Sequence, residues 1–229
     1  LERVLGEVDG QRPLVVSDGV FATTGELPPL DLYYALAESR DGHLFVDESH
    51  AAGVLGPNGR GSIDHFGLGD RAHVGTTLSK GLCGQGSVFL GSDEQVALAR
   101  ANRALRGSSP GSPISALVSA TAMDMVRHSP ELSASLRGKA SSLREQLQAL
   151  GLDTVDTPAS IIAFAEGDFE HMRGLQSALF EAGIYVLHSN YIAAGPGGMI
   201  RLSVFGDHTD KDFQHVCDAI YRWRSANPT

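Results

Sequence analysis

Gly75-Thr76-Thr77-Leu78-Ser79-Lys80-Gly81-Leu82-Cys83-Gly84-Gln85-Gly86 sets one lysine among hydroxyls and glycines, just after a short run of strand character. A lysine following a buried type of strand is poorly placed for solvation and well placed to form an imine, because burial disfavours the ammonium and leaves the amine nucleophilic. Glycines let the backbone approach a flat ring, and the hydroxyls of Thr77 and Ser79 can hold phosphate oxygens. Composition alone is equally compatible with an exposed loop lysine.

Upstream, HLFVDESH (43–50) reads as a strand, and the glycine-studded loop 53–61 follows it. In a parallel sheet the side chains at a strand's carboxyl end face the ligand crevice, which puts Asp47 where function usually lies. A carboxylate there can pair with a protonated ring nitrogen and keep that ring an electron sink. His50, three residues on, can lie against the ring or bond a phenolic oxygen on it. The alternatives are that Asp47 caps the next turn and that His50 is a satisfied core histidine.

Working outward, short β-branched runs alternate with amphipathic stretches, the pattern of βαβ units in a mainly parallel sheet. PLVVSDG (13–19) reads as a strand, residues 30–40 as a helix, HVGTTLSK (73–80) as a strand running into a loop, and SVFLGS (87–92) as a further strand. Residues 93–106 have helical spacing, the polar turn GSSPGSP (107–113) interrupts them, and two long helices reach to about Leu150. SIIAFAEG (160–167), IYVLHS (184–189) and MIRLSVF (199–205) are strand candidates among the helices of 171–183 and 210–225, forming a small α+β domain. The spacing predicts a large-domain portion over 1–125 and a C-terminal small domain over 126–229. The chain opens on a short helix-like segment, as though inside a larger protein.

Composition limits the function. A net charge of −9 disfavours a sequence-independent nucleic-acid binder, which needs clustered Lys and Arg. No stretch approaches the roughly 20 apolar residues of a membrane span, and LERVLGEVDGQRP (1–13) lacks an apolar signal core. A cytoplasmic location is expected. Cys83 and Cys217 lie far apart, without metal-ligand spacing, and no metal is expected.

VDESHAAGVLGPNGRGS (46–62) and TTLSKGLCGQG (76–86) together resemble the α-oxoamine synthase family of class II aminotransferase-like, fold-type I pyridoxal 5'-phosphate (PLP) enzymes. VVSDGVFATTGELPPL (15–30) and MIRLSVFGDHTDKDF (199–213) extend the likeness over nearly the whole chain. It covers only the C-terminal part of the family's length, without the family's ring-stacking residue and glycine-rich phosphate turn. The resemblance implies an α/β fold: the back half of a fold-type I PLP-transferase large domain plus a small α+β C-terminal domain.

For the site, the resemblance implies that Lys80 carries PLP as a Schiff base, Asp47 pairs with the pyridinium, His50 approaches the ring's phenolic oxygen and Thr77 binds phosphate. Arg201 would hold the substrate α-carboxylate, for which a planar guanidinium fork is suited. The implied reaction is condensation of an amino acid with an acyl-CoA, in a homodimer, with a missing N-terminal half or second polypeptide completing the site. Transamination, aldol cleavage and a non-catalytic subunit or fragment remain open. Three departures stand out: Ala22 replaces a ring-bonding serine, Thr23-Thr24 replaces Met-Asp, and Gly107-Ser108-Ser109 replaces Phe-Ser-Thr.

Overall fold

The computed structural model of the chain describes residues 1–8, 10–105 and 111–228. The chain divides into two compact units, one of Leu1–Val20 with Leu27–Ser133 and one of Phe21–Glu26 with Ala134–Thr229.

The first unit holds α1 (Glu2–Glu7), β1 (Leu14–Asp18), α2 (Leu30–Glu38), β2 (His43–Asp47), α3 (Ser62–His65), β3 (His73–Thr77), β4 (Ser87–Leu90), α4 (Asp93–Ala101) and α5 (Pro113–His128). Its sheet runs β1-β2-β3-β4. The first two pairings are parallel, and β4 returns antiparallel to β3. That reversal follows from chain length, since residues 78–86 are too few for the crossover that a parallel neighbour requires. Val15, Leu44 and Val46 alternate onto one face and bury against Leu30 and Ala37 of α2 and against Ile63 and Leu68. The other face carries Phe45 stacked on Phe89, with ring centroids 6.3 Å apart, and the exposed Leu14 and Val16. Ser92 and Gln95 close a reciprocal capping box at the start of α4.

The second unit comprises most of α6 (Pro130–Ala149), then β5 (Ile161–Phe164), α7 (Phe169–Glu181), β6 (Leu187–Ser189), β7 (Met199–Ser203) and α8 (Asp210–Ala226). Its sheet is antiparallel, in the order β5-β7-β6. Met172, Leu175 and Leu179 at i, i+3 and i+7 give α7 its apolar stripe, as Phe213, Cys217 and Ile220 do for α8. Both stripes close on Phe164, Ile200 and Leu202 of the sheet and on Leu143 and Leu147 of α6. The strand expected over IYVLHS is shorter than its apolar run: pairing with β7 covers only Leu187–Ser189, while Val186 is buried in the core. Phe21–Glu26 joins this unit through Gly25, whose carbonyl accepts from Thr157 Oγ1 at 2.9 Å. Gly25 has φ 75°, and a Cβ on it would lie 2.5 Å from the Ile161 carbonyl oxygen, so only glycine fits there.

Among the described residues no helix is long and apolar enough to cross a membrane.

Candidate active site

Parallel pairing aligns the carboxyl ends of β1 and β2, where Asp18 and Asp47 are register partners. Each of the four residues of Asp47-Glu48-Ser49-His50 has a different destination. Asp47 Oδ1 accepts the Ser49 N–H at 2.8 Å, which turns the chain out of the strand. Glu48 points inward at 2% exposure and accepts from Ser62 N, Ser62 Oγ and Ile63 N, each at 2.8 Å. It thereby ties the loop after β2 to the start of α3. Burial pushes the Glu48 carboxyl up, against the three donors that favour its ionised form. Ser49 Oγ accepts the Thr77 N–H at 3.0 Å, joining that loop to the end of β3.

His50 completes the set: its Nε2 lies 2.8 Å from Lys80 Nζ. An ammonium donating to Nε2 leaves the imidazole proton on Nδ1.

Lys80 stands in a turn built by its neighbours. Thr77 Oγ1 accepts the Ser79 N–H at 3.2 Å, lies 2.8 Å from Ser79 Oγ and donates to the Gly86 carbonyl at 3.1 Å. Leu78 N donates to Gly86 O at 2.9 Å, and Cys83 N donates to Lys80 O at 3.0 Å. Cys83 itself has φ 58°, a left-handed conformation that favours glycine. The structure corrects the expected burial of the lysine: Lys80 is exposed, because β3 ends at Thr77 and the loop carries the chain beyond the sheet.

The motif reading missed Asp18. Its signal was present, since PLVVSDG ends in an acid just as HLFVD does, but only strand register shows that the two acids are neighbours. Burial pushes the Asp18 carboxyl up, the Asp47 charge adds to this, and Lys80 opposes it.

Arg201 belongs to the second unit, on the central strand β7 between Ala163 of β5 and Leu187 of β6. It is half-buried, burial pushes its guanidinium down, and its Nε is buried with no hydrogen-bond partner among the described residues. A buried, unpartnered donor is costly unless something accepts from it. Asp18, Asp47, His50, Thr77 and Lys80 all lie in the first unit. Gly107-Ser108-Ser109 lies outside the described residues.

The 8-amino-7-oxononanoate synthase of Dechloromonas aromatica (strain RCB) is 31% identical over 225 residues, covering 96% of this chain and 58% of that protein. The synthase of Thermosipho melanesiensis is 33% identical over 222 residues, covering 95% and 57%. The chain thus spans 57–58% of the length of these curated relatives. A serine palmitoyltransferase from S. paucimobilis, solved with a bound PLP–myriocin aldimine, superposes with a TM-score of 0.89 at 26% identity, covering 98% of this chain and 58% of that one. The 8-amino-7-oxononanoate synthase of Francisella tularensis shares the fold, with a TM-score of 0.84 at 22% identity over all of this chain and 68% of that one. The family model described as aminotransferase class I and II matches residues 1–220, and the chain belongs to that family.

Proposed function

We propose that this chain is the PLP-bearing part of an acyltransferase that condenses an amino acid with an acyl-CoA thioester. The observation that carries this reading is the contact of Lys80 Nζ with His50 Nε2 at 2.8 Å, at the strand-end corner where Asp47 also stands. The residues present fit PLP in kind: an amine for its aldehyde, a carboxylate for its ring nitrogen, hydroxyls for its phosphate and a guanidinium with an unpartnered Nε for the amino acid. When bound, the cofactor supplies an electron sink that stabilises negative charge at the amino acid's α-carbon.

The protein's residues divide the remaining work. Lys80 would hold the cofactor and, as a free amine, would move the proton at the α-carbon of the amino acid. The Ser49 N–H fixes the orientation of the Asp47 carboxylate, which would keep a proton on the ring nitrogen of the cofactor. His50 orients the Lys80 amine and would serve the cofactor's phenolic oxygen. Thr77, with Ser79 beside it, takes the phosphate. Arg201 would hold the α-carboxylate of the amino acid.

The reading includes residues 1–125 as a partial PLP-binding domain and 126–229 as the small domain, assembled as a homodimer. Because the chain spans just over half of its relatives' length, a further segment completes the site.

The test is an absorbance spectrum with added PLP, then borohydride reduction and peptide mapping, then release of CoA thiol from acyl-CoA with different amino acids. A visible band and a reduced adduct on the Lys80 peptide are expected, with thiol release that depends on the amino acid. Absence of the adduct overturns the cofactor assignment. An adduct with amino-acid turnover but no thiol release replaces the acyltransferase with transamination or aldol cleavage.

A further inference from the structure

At the end of the sheet opposite Asp47 and Lys80, two histidines open neighbouring strands: His43 begins β2 and His73 begins β3. Their ring centroids lie 5.1 Å apart, with His73 Nε2 3.3 Å from His43 Nδ1. On its other side, His73 Nδ1 lies 3.1 Å from Gln95 Nε2 of α4. An amide nitrogen can only donate, so His73 Nδ1 accepts, the neutral ring carries its proton on Nε2, and that proton points at His43 Nδ1. Gln95 cannot exchange its amide ends without losing another bond, because its Oε1 already accepts the Ser92 N–H at 2.8 Å in the cap of α4. A Cβ on Gly91 would lie 2.6 Å from that Oε1, so the amide occupies the space that glycine leaves. Gly91 does not adopt the left-handed region, so the amide rather than the backbone angle calls for glycine there.

We infer that Gln95, His73 and His43 form a pH-responsive latch, which fastens the first turn of α4 to the starts of β3 and β2 at neutral pH and releases it on acidification. The latch is independent of the proposed function. A second proton on His73 enters at Nδ1 and confronts the Gln95 amide N–H. The amide can accept that proton only by turning Oε1 away from Ser92, which opens the cap. A second proton on His43 enters at Nδ1 and confronts the His73 Nε2 proton, so charging either ring removes a hydrogen bond. The groups able to carry charge on the elements around His73 are His43 on β2, Asp93 and Glu94 in the first turn of α4, and Asp70 and Arg71 in the turn before β3. Of these, His43 is the one whose charge acts on His73, while Arg71 is turned to the Gly67 and Leu68 carbonyls. Burial, and then the His43 charge, hold His73 below the ordinary histidine value. A lowered folded-state value means that this stabilisation is present above that ordinary value, about pH 6.5, and is lost as the pH falls from there toward the folded value.

The experiment is hydrogen exchange of the full chain between about pH 7.5 and about pH 5, read by mass spectrometry and corrected for the intrinsic pH dependence of exchange. Protection of the peptide 92–101 is expected to fall on the order of threefold to tenfold across this range, the value of one hydrogen bond, while that of α2 stays unchanged. Unchanged protection of 92–101 overturns the inference. Gln95→Glu keeps an acceptor for Ser92 in the cap and offers a carboxylate oxygen to a protonated His73, so its protection is expected to hold or rise on acidification, an outcome that a purely structural role would not give. The same fall in that variant as in the parent chain overturns the inference. His73→Phe keeps a ring with nothing to titrate and is expected to lose the pH dependence, and a fall that persists in it assigns the release to another group and overturns the latch. If His73→Phe does not fold, as judged by circular dichroism, the His73 ring nitrogens of the parent chain are followed by NMR instead. The Nε2–H tautomer at neutral pH and a titration below the ordinary histidine value are then expected, and the Nδ1–H tautomer or a titration above that value overturns the inference.

Discussion

Lys80 Nζ lies 2.8 Å from His50 Nε2, a contact between residues thirty positions apart that joins the loops after β2 and β3. The contact exists because β2 and β3 are adjacent and parallel, so both loops leave the sheet at the same end. Lys80→Ala is expected to abolish the borohydride-stable adduct while changing unfolding free energy by no more than about 0.5 kcal/mol, because the side chain is exposed. His50→Ala is expected to keep the adduct but slow its formation on the order of tenfold, the value of one hydrogen bond. Peptide mapping and the rise of the visible band measure the two effects.

Glu48 is an anchor rather than a reactive group. Glu48→Ala leaves two backbone N–H groups and the Ser62 hydroxyl without their acceptor in a buried setting. Denaturant unfolding is expected to show a loss of about 2–4 kcal/mol. Glu48→Gln, which keeps one carbonyl acceptor, is expected to lose less.

Arg201 carries an unpartnered buried Nε, so it gives little to the stability of its own unit. Arg201→Leu is expected to leave the melting temperature unchanged or higher, since removing a half-buried charge with an unpartnered Nε relieves its desolvation. The same variant is expected to bind amino acids more weakly by on the order of tenfold to a hundredfold, read from spectral titration of the PLP-loaded protein. Arg201→Lys is expected to fall in the same direction, because the ammonium lacks the planar fork.

Asp212 gives the C-terminal helix a pH dependence of known sign. Its Oδ2 accepts from the Thr209 N–H at 2.7 Å and from Thr209 Oγ1 at 2.8 Å, and these donors hold the carboxyl below its usual range. A lowered folded-state value means that this stabilisation is present above the ordinary carboxylate range and is lost as the pH falls through the lower value. Asp212→Asn is therefore expected to melt below the parent chain at neutral pH, with the difference closing toward about pH 3. Thermal unfolding followed by circular dichroism across that range checks it.

The α/β alternation, the short strands and the two motif segments could be read from residue order because each is a local pattern. Period-two burial in HLFVD places Leu44 and Val46 inward and Asp47 at the strand end. Three features could not be read in the same way. Phe21–Glu26 joins the second unit because Gly25 packs against Ile161, a contact that no local pattern encodes. Glu48 reads as one more polar motif residue, yet it is among the most buried acids, because three donors far along the chain converge on it. Asp18 reads as a strand-end acid, and only register with Asp47 makes it a neighbour of the site.

The sequence by itself determined which residues carry reactive groups and which local elements hold them: a lysine after β3, an acid ending β2, a histidine three residues beyond, an arginine in β7. Side-chain chemistry and short-range periodicity are properties of the chain's order. Tertiary structure alone decided which of these groups meet, that Lys80 is exposed and partnered with His50, and that a second carboxylate, Asp18, stands in register with Asp47. Distance and dielectric are set by strand pairing and burial, which depend on residues far apart in sequence.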